Sequence, residues 1–288
     1  MIVGRFAPSP TGELHLGNLR TALAAFLSAR RNGPDGGRFL VRFEDLDRVT
    51  SSRSLAVAQL RDLAAVGVVP DQEPVFQSDR FGLYSGAISR LTEAGLTYEC
   101  FCTRKEVREA AAAPHGAVAL YPGTCRGLSA AERASRAAAG RPGALRLDVG
   151  RAVSQGLLEA EIGFSDVLAG HLGGAVRDLV DDVVLRRNDG VPSYNVAVVV
   201  DDAAQGVTEV VRGADLLSVT PTQVALQRLL GLPTPAYMHV PLRLGEDGER
   251  LSKRHGAVTL GDLAAQGVGA DQVRAMLLAE MEAWFPYG

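Results

Sequence analysis

Cysteine is scarce in this chain, three residues in 288, and an odd, small number of thiols fits poorly with a closed disulfide framework. Aromatic residues make up only 6%, with one tryptophan. No uninterrupted apolar run approaches the roughly 18 residues of a membrane span, and the opening MIVGRFAPSPTG has neither the basic nor the apolar region of a secretory leader. The expectation is therefore a cytoplasmic protein with no membrane partner. Neither sign of charge dominates: 30 Lys+Arg stand against 33 Asp+Glu, for a net charge of -3. The chain as a whole exerts no pull on nucleic acid, and any RNA contact has to use a local basic surface. What is present, 47% hydrophobic and 22% charged residues, excludes disorder, collagen and a coiled coil. The length suits one large or two ordinary domains.

Hydrophobic patterning predicts a strand at Ile2 to Phe6, then a turn-rich APSPTGELHLGN. A helix follows, in which Leu19, Ala22, Leu23, Phe26 and Leu27 share a face. A second strand at Arg38 to Phe43 precedes a helix carrying Leu55, Ala58, Leu60 and Leu63. This alternation argues a parallel α/β sheet. Asp79 is expected to open a further helix with Tyr84, Ile88 and Leu91 on one face and Gly95 as terminator. Beyond Tyr98 the texture changes, with the cysteines and two capping boxes, Thr103 with Glu106 and Ser129 with Glu132. The span 99 to 186 reads as an insertion. VPSYNVAVVVDD (Val191 to Asp202) is expected to return as a buried strand, and TPTQVALQRLLG as a helix capped by Thr220, with Pro221 first and Gly231 as stop. The expected divisions are residues 1–98 and 187–240 as two halves of a nucleotide-binding core, 99–186 as the insertion, and 241–288 as a loop and short helical segment.

Two short motifs carry phosphate chemistry. His15-Leu16-Gly17-Asn18 falls where a loop becomes a helix, and free backbone N–H groups there attract anions. Gly17 lets the backbone approach a nucleotide, and His15 can donate to a phosphate oxygen as charge builds. Alone, such a sequence is also an ordinary turn. Arg250-Leu251-Ser252-Lys253-Arg254, after GEDGE, is a basic cluster that suits a moving phosphate and, in isolation, is equally a solvated loop. The cysteines occupy one window, Cys100-x-Cys102 and Cys125. Soft thiolates favour zinc, which takes four ligands in structural sites. On chemistry alone His115 is the commoner type of fourth ligand, and three cysteines packed without metal are the alternative.

HLGN and RLSKR, with RFAPSPTG, FEDLDR, and VVRGADLL ahead of TPTQVALQRLLG, together resemble the class I aminoacyl-tRNA synthetases of the glutamyl group. HLGN stands for that class's HIGH signature and RLSKR for its KMSKS signature. The resemblance runs from about Val3 to Ala257 with five motifs in order. It implies a Rossmann-type α/β nucleotide-binding core with an inserted α+β zinc-bearing subdomain, a small C-terminal helical segment and no anticodon-binding domain. The implied activity is formation of an aminoacyl adenylate from ATP, with magnesium, and its transfer to RNA. His15 and Lys253 would be catalytic, with Gly17, Asn18 and Ser252 also binding ATP.

For glutamate, two carboxylates call for cations and one ammonium for an anion. Arg5 and Arg212 suit the former and Glu44 the latter, while Ser9 and Tyr194 can add hydroxyl hydrogen bonds. The family's glutamate-contacting positions are matched by these five residues. Fold-stabilising ion pairs are the competing reading, above all for Asp45, Asp47 and Arg48. The family's zinc pattern, C-x-C followed by Y-x-x-x-C, points to Tyr121 as the fourth ligand in place of His115. The zinc would brace the insertion and perform no chemistry.

Only 34 residues follow Arg254, too few for the independent anticodon-reading domain of a discriminating glutamyl-tRNA synthetase. This shortened form resembles the glutamyl-Q tRNA(Asp) synthetase family. Its members activate glutamate without tRNA and attach it to the cyclopentenediol of queuosine in the anticodon of tRNA(Asp), a single-stranded target of ordinary kind. A monomer is the family expectation. A shortened conventional charging enzyme, a non-catalytic RNA-binding paralogue and a small-molecule nucleotidyltransferase remain as alternatives. Intact His15, Gly17 and Lys253 argue against the paralogue, and Arg5, Glu44, Tyr194 and Arg212 together against the nucleotidyltransferase.

Overall fold

The computed structural model describes residues 1–33, 35–103, 105–107, 120–140, 142–243 and 258–287. Short, largely apolar runs buried along nearly their whole length form β1 (Ile2–Phe6) and β2 (Gly37–Phe43), two neighbouring parallel strands joined by α1 (Leu16–Ala29). α2 (Arg53–Ala65) leads from β2 to the short parallel β3 (Val75–Phe76), and α3 (Phe81–Glu93) follows. β4 (Thr97–Cys100), β5 (Ala144–Leu147) and β8 (Val184–Arg186) form a separate antiparallel sheet. The hairpin of β6 (Glu161–Asp166) and β7 (Gly170–Ala175) joins the main sheet instead. β9 (Glu209–Gly213) and β10 (Ala236–Val240) complete it, in the order β3-β2-β1-β9-β10-β6-β7.

Successive side chains of a strand point to opposite faces, and the core divides accordingly. Val3, Leu40, Val210 and Tyr237 pack on one face, with α3 and the helices Tyr194–Ala204 and Thr220–Leu229. Phe39, Val41, Val211 and Met238 pack on the other, with α1, α2 and the C-terminal helix Ala270–Met281. This is a doubly wound sheet. Strand order reverses at β1, which has β2 on one side and β9 on the other. The crevice at the carboxyl ends of such a pair is where ligands of these folds bind.

Three local expectations are corrected. Val191 to Asp202 is no strand: residues Tyr194–Ala204 form a helix. Val196, Ala197, Val198 and Val199 are all buried, so every side of this helix is apolar there and no 3.6-residue stripe distinguishes it from a buried strand. α3 begins at Phe81 with Arg80 as its cap, because the Asp79 carboxylate is taken by Arg53 at 2.8 Å. Thr220 lies within its helix, whose N-cap is Val219. The Thr220 hydroxyl donates to Leu216 O at 3.0 Å. Gly95 and Gly231 close their helices with φ of +70° and +62°, as expected.

Candidate active site

The ends of β1, β2 and β9 and the start of α1 surround a cavity of about 640 Å³. Arg5, Ser9, His15, Gly17, Asn18, Glu44, Tyr194 and Arg212 all line it. Ser252 and Lys253, like His115, lie outside the described residues.

His15 caps α1. Its Nδ1 accepts the Asn18 backbone N–H at 3.2 Å, and Asn18 Oδ1 accepts the His15 backbone N–H at 3.2 Å. An imidazole that accepts at Nδ1 carries its proton, when neutral, on Nε2. The ring lies against the first helical turn: a Cβ at position 17 would sit 3.0 Å from His15 Cε1 and Nδ1. Glycine there leaves the ring its place.

Arg212 is buried and has three neutral partners. Its Nε–H donates to His239 Nε2 at 3.1 Å, Nη1 to Gln223 Oε1 at 2.7 Å and Nη2 to Thr220 Oγ1 at 2.7 Å. No carboxylate among the described residues pairs with it directly, and burial lowers its pKa. Two of its five N–H groups are left for a ligand. Arg5 also donates to Asp202 Oδ1 at 3.2 Å and to Val211 O at 3.3 Å. Glu44 has a distant cation, Arg42 Nη2 at 4.0 Å, and burial raises its pKa to about 7 against the opposing pull of Arg42 and Arg5. Tyr194, on the helix Tyr194–Ala204, has its phenol pKa raised by burial and by Glu44. A cation and an anion, each short of compensation, thus share one cavity.

A network missed from sequence supports this cavity. Arg42, fully buried, donates to Asp202 Oδ1 at 2.7 Å and Gln205 Oε1 at 2.9 Å. Asp201 accepts from Arg80 at 2.6 Å, Tyr84 at 2.7 Å and Gln77 at 3.2 Å. Gln59, also buried, donates to the carbonyls of Ser9 at 3.1 Å and Gly12 at 2.7 Å, fixing the loop after β1. The acidic pair ending VPSYNVAVVVDD was the available signal for Asp201 and Asp202, and the strand assignment hid its geometry.

In the insertion, the sulfurs of Cys100, Cys102 and Cys125 all lie within 4.8 Å of one another. Cys102 and Cys125 are 3.6 Å apart, close to the roughly 3.8 Å edge that Zn–S bonds of 2.3 Å give a tetrahedron. The Tyr121 hydroxyl is 3.3 Å from Cys100 Sγ and 3.4 Å from Cys102 Sγ, and accepts the Cys125 backbone N–H at 3.1 Å. Three thiols and an oxygen converging at these distances fit a single metal ion. Burial pushes the Cys102 thiol up to about 11, so metal binding would release protons.

Residues 1–281 match the family described as tRNA synthetases class I (E and Q), catalytic domain. The chain is 57% identical over 274 residues to a glutamyl-Q tRNA(Asp) synthetase of Nocardia farcinica, covering 95% of this chain and 83% of that protein. A second, from Symbiobacterium thermophilum, is 46% identical over 290 residues, covering 95% and 84%. Among solved structures, a glutamate-tRNA synthetase from Elizabethkingia anophelis superposes with a TM-score of 0.71 at 29% identity. That match covers 88% of this chain and 53% of the other, so this chain spans about half its length. A methionyl-tRNA synthetase from Mycobacterium tuberculosis, at 16% identity and a TM-score of 0.60, covers 96% of this chain and 64% of that one and shares the fold.

Proposed function

The chain belongs to the class I tRNA synthetase (E and Q) catalytic-domain family, alongside the glutamyl-Q tRNA(Asp) synthetases, and from that premise we infer that it activates L-glutamate with ATP and passes it to queuosine in the anticodon of tRNA(Asp). The carrying observation is Arg212, a buried guanidinium with only neutral partners, in the same cavity as Glu44. Arg212 and Arg5 would take the substrate's carboxylates and Glu44 its ammonium, with Ser9 and Tyr194 adding hydroxyl contacts.

The substrate carboxylate attacks the α-phosphorus of ATP, forming the glutamyl adenylate and expelling pyrophosphate. A hydroxyl of the queuosine cyclopentenediol then displaces AMP. His15, Gly17 and Asn18, at the start of α1, would hold phosphate oxygens as charge builds, an effect worth several kcal/mol in related settings. Ser252 and Lys253 complete the ATP site in this reading. Magnesium accompanying ATP would neutralise charge on the phosphates. Zinc, held by Cys100, Cys102, Cys125 and Tyr121, would brace the insertion. The reading also takes the protein as a cytoplasmic monomer, divided at residues 98, 186 and 240.

Exchange of labelled pyrophosphate into ATP, dependent on L-glutamate and run with and without tRNA, tests this reading. Exchange without tRNA, followed by transfer to queuosine-containing tRNA(Asp), is the expected result. Exchange only with tRNA would instead indicate a conventional charging enzyme, and none in either condition a non-catalytic relative. Lys253→Ala is expected to lower exchange at least 100-fold, the size of effect of losing a transition-state charge contact, with an unchanged circular dichroism spectrum. An unaffected rate would remove Lys253 from the site.

A further inference from the structure

Arg212 can present its remaining N–H groups to a carboxylate only if its guanidinium plane is fixed, and the contact that fixes its Nε–H is unusual. The acceptor is an imidazole nitrogen, His239 Nε2, at 3.1 Å. Thr220 Oγ1 lies 3.0 Å from the same nitrogen, but its hydroxyl hydrogen is directed to Leu216 O at 3.0 Å. Nε2 therefore faces one N–H donor and must bring a lone pair. On the other side of the ring, His239 Nδ1 is 2.7 Å from Asp166 Oδ2. That carboxylate is itself pinned, accepting the His239 backbone N–H at 3.0 Å and, through Oδ1, the N–H groups of Leu168 and Ala169 at 2.9 Å each. Asp166 and His239 are 4% and 7% exposed, and neither lines the cavity.

We propose that Asp166 and His239 are positioning residues that act through Arg212, the carboxylate holding a neutral imidazole in its Nδ1–H form so that Nε2 receives the guanidinium. The proposal rests on the reading that Arg212 binds the glutamate carboxylate. Protonated His239 would set an N–H donor and a second positive charge against Arg212. The groups around the ring are Asp166, Arg212, Thr220, and the stacked ring of Tyr237 with the edge of Phe164. Burial and the nearby Arg212 and Arg5 hold the His239 pKa below its ordinary value, against Asp166. The device spans two parts of the chain: Asp166 ends β6 in the 99–186 span, while Arg212 and His239 pair side by side on β9 and β10.

Asp166→Asn is the sharpest test. Oδ1 is claimed by two backbone N–H groups and Oδ2 by one, so the amide NH₂ would take the Oδ2 position, giving up the His239 backbone contact, and donate to Nδ1. The imidazole proton would then move to Nε2 and face Arg212. In pyrophosphate exchange, Asp166→Asn and His239→Leu are expected to raise the KM for glutamate on the order of 10- to 100-fold, the scale of one hydrogen bond to a charged group. The KM for ATP should stay within about twofold. His239→Gln, which can return an acceptor near the Nε2 position, should recover most of the glutamate KM lost in His239→Leu. Imidazole nitrogen NMR should show the proton on Nδ1 in the parent and on Nε2 in Asp166→Asn. Folded variants with unmoved glutamate KM, or a parent with its proton on Nε2, would overturn the assignment. A parent with no glutamate-dependent exchange would overturn the functional reading and this role with it, and the nitrogen spectrum would still decide whether the contact exists.

Discussion

Glu44 and Arg212 pose opposite electrostatic problems inside one cavity, and their ionisation ties substrate binding to pH. Glu44 can hold an ammonium only as a carboxylate, and its pKa is raised by burial to about 7. Below that pH it is increasingly protonated, so the KM for glutamate should rise roughly tenfold per unit as pH falls from 7 to 5.5, and level off above 8. Glu44→Gln should raise the KM throughout and remove this acid limb, and a limb that survives would assign it to another group. The stability effect has the reverse sense. A carboxyl whose folded pKa is raised favours the fold fully below its unfolded value, and this contribution is lost as pH rises through about 7. Glu44→Gln should therefore unfold at higher urea than the parent at pH 8. The residue types for these roles were legible in sequence, because a substrate with two anions and one cation restricts the choice. The neutral company of Arg212 was not, since His239, Gln223 and Thr220 reach it only through the fold.

The helix Tyr194–Ala204 shows where local patterning fails. It carries Tyr194 into the cavity at one end and Asp201 and Asp202 into the arginine network at the other. A strand would have sent Asp201 and Asp202 to opposite faces. Here two adjacent carboxylates serve one cluster: Asp202 bridges Arg5 and Arg42, and Asp201 collects Arg80, Tyr84 and Gln77. The misreading came from four consecutive buried valine and alanine residues, a burial that removes the periodicity on which the distinction depends. α1, by contrast, was legible because its apolar stripe is bounded by the polar HLGN turn. Arg42 has no access to solvent, so Asp202→Ala would leave a buried charge poorly paired. A loss of about 3 kcal/mol is expected, the lower end for breaking a buried ion pair, because Gln205 still accepts from Arg42. Urea unfolding measures it, and a loss below about 1 kcal/mol would show that Asp201 and Glu44 suffice.

At the scale of the whole molecule, the cavity and the cysteine cluster belong to different sheets, and that separation governs what metal removal can do. The cavity is framed by the ends of β1, β2 and β9. Cys100 instead ends β4 of the three-stranded sheet. The alternation of strands and helices was legible from sequence, but β9 lying against β1 was not: Gly4 pairs with Glu209 across some 200 residues, and no local pattern encodes such a distance. Tyr121 ties the two regions indirectly, its backbone N–H donating to Asp181 at 2.7 Å, while the Asp181 N–H donates to Thr222 at 3.0 Å on the helix Thr220–Leu229. One zinc per chain by atomic absorption is the expected content, falling to near zero in Cys125→Ser. Chelation should then accelerate amide exchange in β4, β5 and β8 while tRNA-independent pyrophosphate exchange stays within about twofold, because no cavity residue lies in that cluster. Zinc affinity should fall steeply with falling pH, as protons compete with the metal for the cysteine sulfurs, Cys102 among them, whose thiol burial pushes up. Loss of pyrophosphate exchange in step with zinc would mean that the Asp181–Thr222 link carries the metal's effect to the helix behind Arg212, and the bracing role would then extend into the active site.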